Sequence, residues 1–328
     1  MATLYLIEQG SKLKKVSQRL VVEKNNEILF EMPSFTVERV CVFGNIQITT
    51  QALRFLLEAG IDTALFSYYG RFMGRVQPVE SKNVFLRINQ YEKWKSETER
   101  LRIAKILLLG KIQNSRALLL KYSRNHPDID FTNHIKQLEF LAIELDRKTL
   151  VSSVMGVEGR AAAIYFECFS AMILKNFTFF HRIPRHSKDP VNSMLSFGYA
   201  LLTNEVFSAL CGVGFDVYVG YLHSLVYGRP ALALDLMEEF RQPIADRLVL
   251  ELINKGSILP NEFQETEEGL YLNDESRKKF LAQYERRMQT KTSIGEKAMN
   301  YRDLIHGQIS LFAKLINDEA QYTPFLLK

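Results

Sequence analysis

The sequence predicts an α+β chain: a small β-rich N-terminal domain over residues 1–77, then a short linker into a large all-α domain over residues 78–328. Three observations predict it. Up to Val76 the apolar residues fall in short runs rich in Val, Ile, Leu and Phe, broken by polar turns. After Gln77-Pro78 they recur at helical spacing almost to the end of the chain. The 328 residues, 47% hydrophobic and 24% charged, suffice for a substantial core in one large domain or two medium ones.

Within the first part, TLYLIE, RLVVEKNNEILFEM and RVCVFG read as strands, with Lys24-Asn25-Asn26 as a hairpin tip. QALRFLLEA is a helix, capped by Thr49 or Thr50 and stopped by Gly60. DTALFS and RFMGRV then resume strand character. From about Ser81, VFLRINQYEKW, RLRIAKILLLGKIQNSRALLLKY and IKQLEFLAIEL are helical in period. Further helices are expected from about Glu158 to Ile173, Pro190 to Val213, Ala231 to Asn254 and Lys297 to Asn317. Asp189 caps the second of these and Pro190 takes its first helical position. Before it runs an irregular segment, KNFTFFHRIPRHSKDP, in which Lys175, Arg182, Arg185 and Lys188 alternate with aromatic rings.

The net charge of +5 is modest, but its distribution is uneven. Ser81 to Asn125 holds 11 Lys or Arg against three acids, and Ala231 to Leu270 holds nine acids against three bases. A basic helical surface suits a polyanion and an acidic pocket suits a cation, although solvated helix faces give the same counts. Cys41, Cys168 and Cys211 lie far apart without metal-ligand spacing, as buried thiols of a reducing compartment do. The opening MATLYLIEQG lacks the basic and apolar regions of a signal peptide, and no run of about 18 apolar residues is present to cross a membrane. A cytoplasmic location without membrane attachment is expected.

The chemistry-bearing candidates cluster late. Asp235 and Glu238 are three apart on a helix, so their carboxylates can converge, and a hard divalent cation relieves the repulsion between them. Acids following Arg229-Pro230 also simply favour the helix dipole. His223, in a loop-like stretch leading to that helix, is either a hydrogen-bonded core residue or a ligand. Glu158, in VMGVEGRAAAIYF, either opens its helix as a favourable first-turn acid or points inward. Two carboxylates and an imidazole suit Mg²⁺ or Mn²⁺, the imidazole favouring Mn²⁺. Asn192, Ser193, Ser196 and Tyr199 are polar for the start of a core helix, and with the basic aromatic loop before them they suggest phosphate contacts and base stacking.

GVEGRAAAIYF, DPVNSMLSFGYALL, YLHS and LALDLMEEFRQPIADRLV, in that order, resemble the CRISPR-associated integrase family of spacer acquisition. FGNIQITTQAL, LFSYYGRFMGRV and YRDLIHGQISLFAKLI extend the resemblance over the whole chain. It implies that Glu158, His223 and Glu238 bind the catalytic Mg²⁺ or Mn²⁺ and that Asp235 supports the site. Glu238 stands where some relatives carry Asp, and Gln242 where many pass directly from Arg to Pro. The reaction implied is transesterification, in which a 3′-hydroxyl of a short DNA duplex attacks a phosphodiester at the edge of a CRISPR repeat. Arg182, Arg185, Lys188, Asn192, Tyr199 and Arg241 are the expected DNA contacts. The implied partners are double-stranded DNA, a second copy of the chain paired through the β-rich domain, and a small ferredoxin-like adaptation protein. A metal-dependent nuclease cutting branched DNA, and a non-catalytic DNA-binding scaffold, are the alternatives.

Overall fold

The computed structural model describes residues 2–78, 83–184, 188–294 and 297–327. The chain divides into two units, Met1–Glu80 and Ser81–Lys328. The first holds β1 (Ala2–Leu6), β2 (Lys12–Val16), β3 (Arg19–Lys24), β4 (Glu27–Pro33), β5 (Val37–Phe43), β6 (Gln47–Ile48), α1 (Thr50–Glu58), β7 (Asp62–Phe66) and β8 (Phe72–Val76). Two four-stranded sheets result, in the orders β1-β5-β7-β8 and β4-β3-β2-β6. β1, β5 and β7 run parallel, as strands joined by crossovers do, and β8 returns antiparallel. Asn25 and Asn26 at the β3–β4 turn have φ of 51° and 65°, the left-handed pair that a two-residue hairpin needs and that asparagine tolerates best after glycine. Thr49 caps α1 by accepting from the Ala52 amide at 3.3 Å. Leu4, Leu13, Leu20, Val40 and Leu56 pack at the centre of this unit. β2, KLKKV, escapes sequence reading because three lysines interrupt its apolar alternation.

The second unit holds α2 (Val84–Lys95), α3 (Glu97–Asn125), α4 (Thr132–Asp146), α5 (Val151–Ala171), α6 (Pro190–Val213), α7 (Ala231–Met237), α8 (Arg247–Asn254), β9 (Phe263–Thr266), β10 (Gly269–Leu272), α9 (Asp274–Met288), β11 (Lys291–Ile294), β12 (Lys297–Asn300) and α10 (Tyr301–Ile316). It is helical but not all-α: β9–β10 and β11–β12 are antiparallel hairpins. The last predicted helix begins only at Tyr301, where Asn300 caps it on the Asp303 amide at 2.8 Å, and Lys297–Asn300 is strand. α6 is long and apolar enough to cross a membrane, but 72% of its most apolar window is buried inside the protein, as befits a core helix. Between α7 and α8 the helical path continues without remaining α: Glu238–Phe240 is a 3₁₀ turn and Arg241–Asp246 a π-helix. Pro243 lies inside the π segment and supplies no amide hydrogen, and such local changes of winding concentrate at functional sites.

Candidate active site

Three elements meet at one cation. Lys111 lies on the buried stripe of α3, and its ammonium bonds Glu158 Oε1 of α5 and lies 2.9 Å from Glu238 Oε2 of the 3₁₀ turn. Glu158 is therefore not a helix-opening acid: α5 starts at Val151, and no acid stands in its first turn. Arg241 holds the other side of Glu238, its Nη1 donating to Oε1 at 3.0 Å and to Oε2 at 3.1 Å. Burial pushes the Glu238 carboxyl up, but Arg241, Lys111 and His223 together outweigh it and hold the group at about 2.

His223 and Asp235 form a second arrangement beside it. Asp235 is fully buried, and its oxygens accept the backbone amides of Tyr221, Leu222 and His223 at 2.6, 2.9 and 2.9 Å. His223 Nδ1 lies 2.6 Å from Asp235 Oδ1. A carboxylate gathering these donors fixes the imidazole with its proton on Nδ1, which leaves Nε2 as an acceptor free to ligate. Gly220 permits the close turn over Asp235, since a Cβ there would stand 2.7 Å from Asp235 Oδ2 and from the Ala231 carbonyl carbon. Asp235 thus bonds the 221–223 backbone and the imidazole, while Glu238 bonds Lys111 and Arg241.

Of the three expected metal ligands, Glu158 and Glu238 meet at Lys111, and His223 acts on Glu238 through its field. Among the described residues no group of three or more His, Cys, Asp or Glu closes on one point. The donor set fits a hard divalent ion in its chemistry, with two carboxylates and an imidazole nitrogen. An ammonium occupies the space between the carboxylates.

The expected DNA contacts fare unevenly. Asn192 is fully buried, accepts from Arg182 and the Ile183 amide at 2.8 Å each, and donates to the His181 carbonyl and Asp189. The buried Tyr199 hydroxyl donates to Asp246 Oδ1 at 2.5 Å. The polar atoms of both side chains have partners within the fold. Arg182 bonds Asn192 and Ser196 and lies over the Tyr199 ring at 5.2 Å, and Arg241 lies over the same ring at 4.2 Å. Lys188 is exposed and pairs with Glu265 at 3.1 Å. Arg185 lies outside the described residues.

Lys111, Tyr165 and Asp246 are site residues that sequence reasoning missed. Tyr165 donates to Asp246 Oδ2 at 2.7 Å, and burial, chiefly, raises the Asp246 carboxyl although both tyrosines oppose it. A signal for Lys111 existed: it shares a helical face with Ala104, Leu107, Leu108, Ser115 and Leu118, where a surface lysine does not belong.

Residues 4–286 match the family described as CRISPR associated protein Cas1. The chain belongs to the Cas1 family. A relative in Thermus thermophilus, named CRISPR-associated endonuclease Cas1 3, is 33% identical over 333 residues covering 100% of this chain and 98% of its own. A solved casposase bound to its integration product superposes with a TM-score of 0.88 at 25% identity, over 98% of this chain and 92% of that one. A Thermotoga maritima Cas1 protein superposes with a TM-score of 0.83 at 27% identity, over 97% and 98% of the two chains. The resemblance read from GVEGRAAAIYF, DPVNSMLSFGYALL, YLHS and LALDLMEEFRQP therefore holds, as does a β-rich N-terminal region followed by a mainly helical part.

Proposed function

We propose that this Cas1 chain is a metal-dependent DNA integrase and endonuclease that joins short duplexes into a CRISPR array. The observation that supports it is the meeting of Glu158 and Glu238, from separate elements, beside an imidazole whose tautomer Asp235 fixes. In the proposed step the 3′-oxygen of the incoming duplex forms a bond to a repeat-edge phosphorus. The bond from that phosphorus to the departing 3′-oxygen breaks, and the proton of the attacking hydroxyl ends on the departing oxygen. A bound Mg²⁺ or Mn²⁺ supplies acidification of the attacking hydroxyl and positive charge against the phosphate as it gains charge. Glu158, Glu238 and His223 Nε2 would hold that ion, and Asp235 orients the imidazole from behind. Arg241 keeps Glu238 ionised in a buried setting, where a lone carboxyl would take up a proton.

Lys121 and Arg124, exposed at the end of α3, would track the duplex through its phosphates, with contacts that weaken as salt rises. A homodimer through the first unit and a small ferredoxin-like partner complete the proposed assembly, and the exposed Ile28, Leu29 and Phe30 on edge strand β4 suit such pairing.

The test mixes the purified protein and its small partner with a short duplex, a supercoiled plasmid carrying a CRISPR array, and Mn²⁺ or Mg²⁺. Joined product is expected, with loss of at least about 100-fold in Glu158→Ala and His223→Ala, the scale on which losing a metal ligand or its orientation acts. A 3′-deoxy end abolishes joining too. Cutting without joining, lost in the same variants, moves the assignment to a nuclease of branched DNA. DNA binding with no metal-dependent chemistry leaves a scaffold.

A further inference from the structure

A lysine separates the two carboxylates that the proposed chemistry gives to a divalent ion. Lys111 is 5% exposed and bonds both Glu158 and Glu238. With Arg241 also on Glu238, two negative charges already face two positive ones, so the cluster is neutral as it stands. A divalent ion held by the same oxygens competes with the ammonium for the same lone pairs and adds repulsion between two buried cations.

The second observation lies beside the first. Lys111, Ser115, Tyr165, Tyr199, Arg241 and Gln242 line a small cavity with room for about one water-sized group. Gln242 is 2% exposed, and its Oε1 has no hydrogen-bond partner among the described residues. A buried amide oxygen without a donor costs about 1–3 kcal/mol. Lys111, one of the residues lining this cavity, carries an ammonium the size of a water molecule, with three donors on a flexible four-carbon stem.

We propose that Lys111 is a two-position cation: it holds Glu158 and Glu238 together before the metal arrives, and withdraws to Gln242 Oε1 when the metal enters. This rests on the assignment of both carboxylates to a divalent ion. The exchange replaces one cation by another and moves no proton. In the first position it keeps the buried Glu238 and the half-buried Glu158 from repelling each other, and the site holds its shape without metal. In the second, its charge remains within the pocket to face the phosphate. Lys111 is thus a positioning residue, and metal affinity is set by competition with a side chain as well as by the ligands. Gln242 belongs to the mechanism as the acceptor that makes withdrawal cheap. It lies in the π-helical segment, where the local winding turns its side chain inward.

The experiment measures Mn²⁺ binding to the full chain without DNA, by calorimetry and by electron paramagnetic resonance. Lys111→Met removes the competitor at nearly constant volume: Mn²⁺ is expected to bind at least about tenfold more tightly, a gain of about 1.4 kcal/mol, while the metal-free protein melts at lower temperature. Gln242→Leu removes the receiving acceptor and fills the cavity. It is expected to weaken Mn²⁺ binding by about tenfold with no loss of metal-free melting temperature, and it decides the matter if Lys111→Met does not fold. Glu158→Gln and Glu238→Gln run alongside and are expected to abolish binding. If they do so while Lys111→Met and Gln242→Leu both bind Mn²⁺ as the native chain does, the lysine proposal is overturned and the ligand assignment stands. If neither glutamate substitution weakens binding, the ligand assignment fails and this proposal with it.

Discussion

Glu238 and Glu239 are chain neighbours, both buried, yet their carboxyls sit at about 2 and about 7. Burial raises each. Around Glu238 the compensating groups are cations, which favour the ionised form strongly. Around Glu239 they are neutral donors, the Tyr322 hydroxyl at 2.7 Å and the Phe325 amide at 2.8 Å, which recover only part of the cost. Side-chain type at one position therefore said little about role; the partners decided it, Arg241 three residues on and the distant Lys111 for Glu238, Tyr322 and Phe325 more than 80 residues away for Glu239. Cys168 is the limiting case, a buried thiol whose burial foremost, and then Glu167, push it from 9.0 up to about 12. At pH 8 its thiolate fraction in the folded chain is about one in ten thousand, so alkylating reagents that need the thiolate are expected to leave it unmodified until the protein unfolds. Because the folded pKa is raised, its contribution to stability is complete below about pH 9 and is lost as pH climbs from there towards 12. Mass spectrometry after timed iodoacetamide treatment, with and without urea, checks this; labelling of Cys168 at the same rate in both would contradict the buried assignment.

At the scale of elements, boundaries were legible where side chains write them. α6 runs from Pro190 to Val213 as the sequence predicts, because Asp189 caps it on the Val191 and Asn192 amides and Gly214 ends it with φ of 108°. α5 carries no such mark: Leu150 at its N-cap offers no side-chain acceptor, and the helix begins seven residues before Glu158. The 231–254 segment reads as one helix because its apolar period persists, while the 3₁₀ and π turns within it answer to Pro243 and to tertiary contacts that periodicity does not record. One such contact is the C-terminal segment. Asn114 is fully buried in α3; it donates to the Glu239 and Phe325 carbonyls at 2.7 and 2.8 Å and accepts the Leu327 amide at 2.7 Å. Pro324 packs so closely on Gly110 that a Cβ there would come within 2.6 Å. The segment braces the turn that carries Glu238. Asn114→Ala leaves three buried backbone groups unpaired, and a loss of about 2–4 kcal/mol is expected, read as a lower urea midpoint at unchanged m-value. A loss under about 0.5 kcal/mol, the range of ordinary surface substitutions, would show that the brace contributes nothing.

For the whole molecule, composition and period were enough to place a β-rich unit before a helical one, and the ordered motifs were enough to place the family. The meeting of three chain segments at Lys111 was not legible: Glu158 lies 47 residues away from it and Glu238 far beyond that, and no local pattern encodes which buried acid finds which buried lysine. Nor does a single chain carry the evidence for its own assembly, except as apolar surface without cover. β4 supplies that evidence. It is an edge strand in the order β4-β3-β2-β6, and Ile28, Leu29 and Phe30 are exposed in succession, so both of its faces are uncovered along with its free edge. Native proteins usually protect such edges, so an unprotected one of this composition suits pairing with another chain. The proposed homodimer uses it. Ile28→Lys with Phe30→Lys leaves the unit's core untouched, because that core is built from Leu4, Leu13, Leu20, Val40 and Leu56. Each apolar side chain covered at an interface is worth about 1.5–3 kcal/mol, so the double substitution is expected to raise the dimer dissociation constant by at least about 100-fold. Sedimentation equilibrium of native and substituted protein measures it, with far-ultraviolet dichroism confirming the fold. A dimer of unchanged strength in the variant would move the interface elsewhere on the molecule and leave β4 as an edge that function does not use.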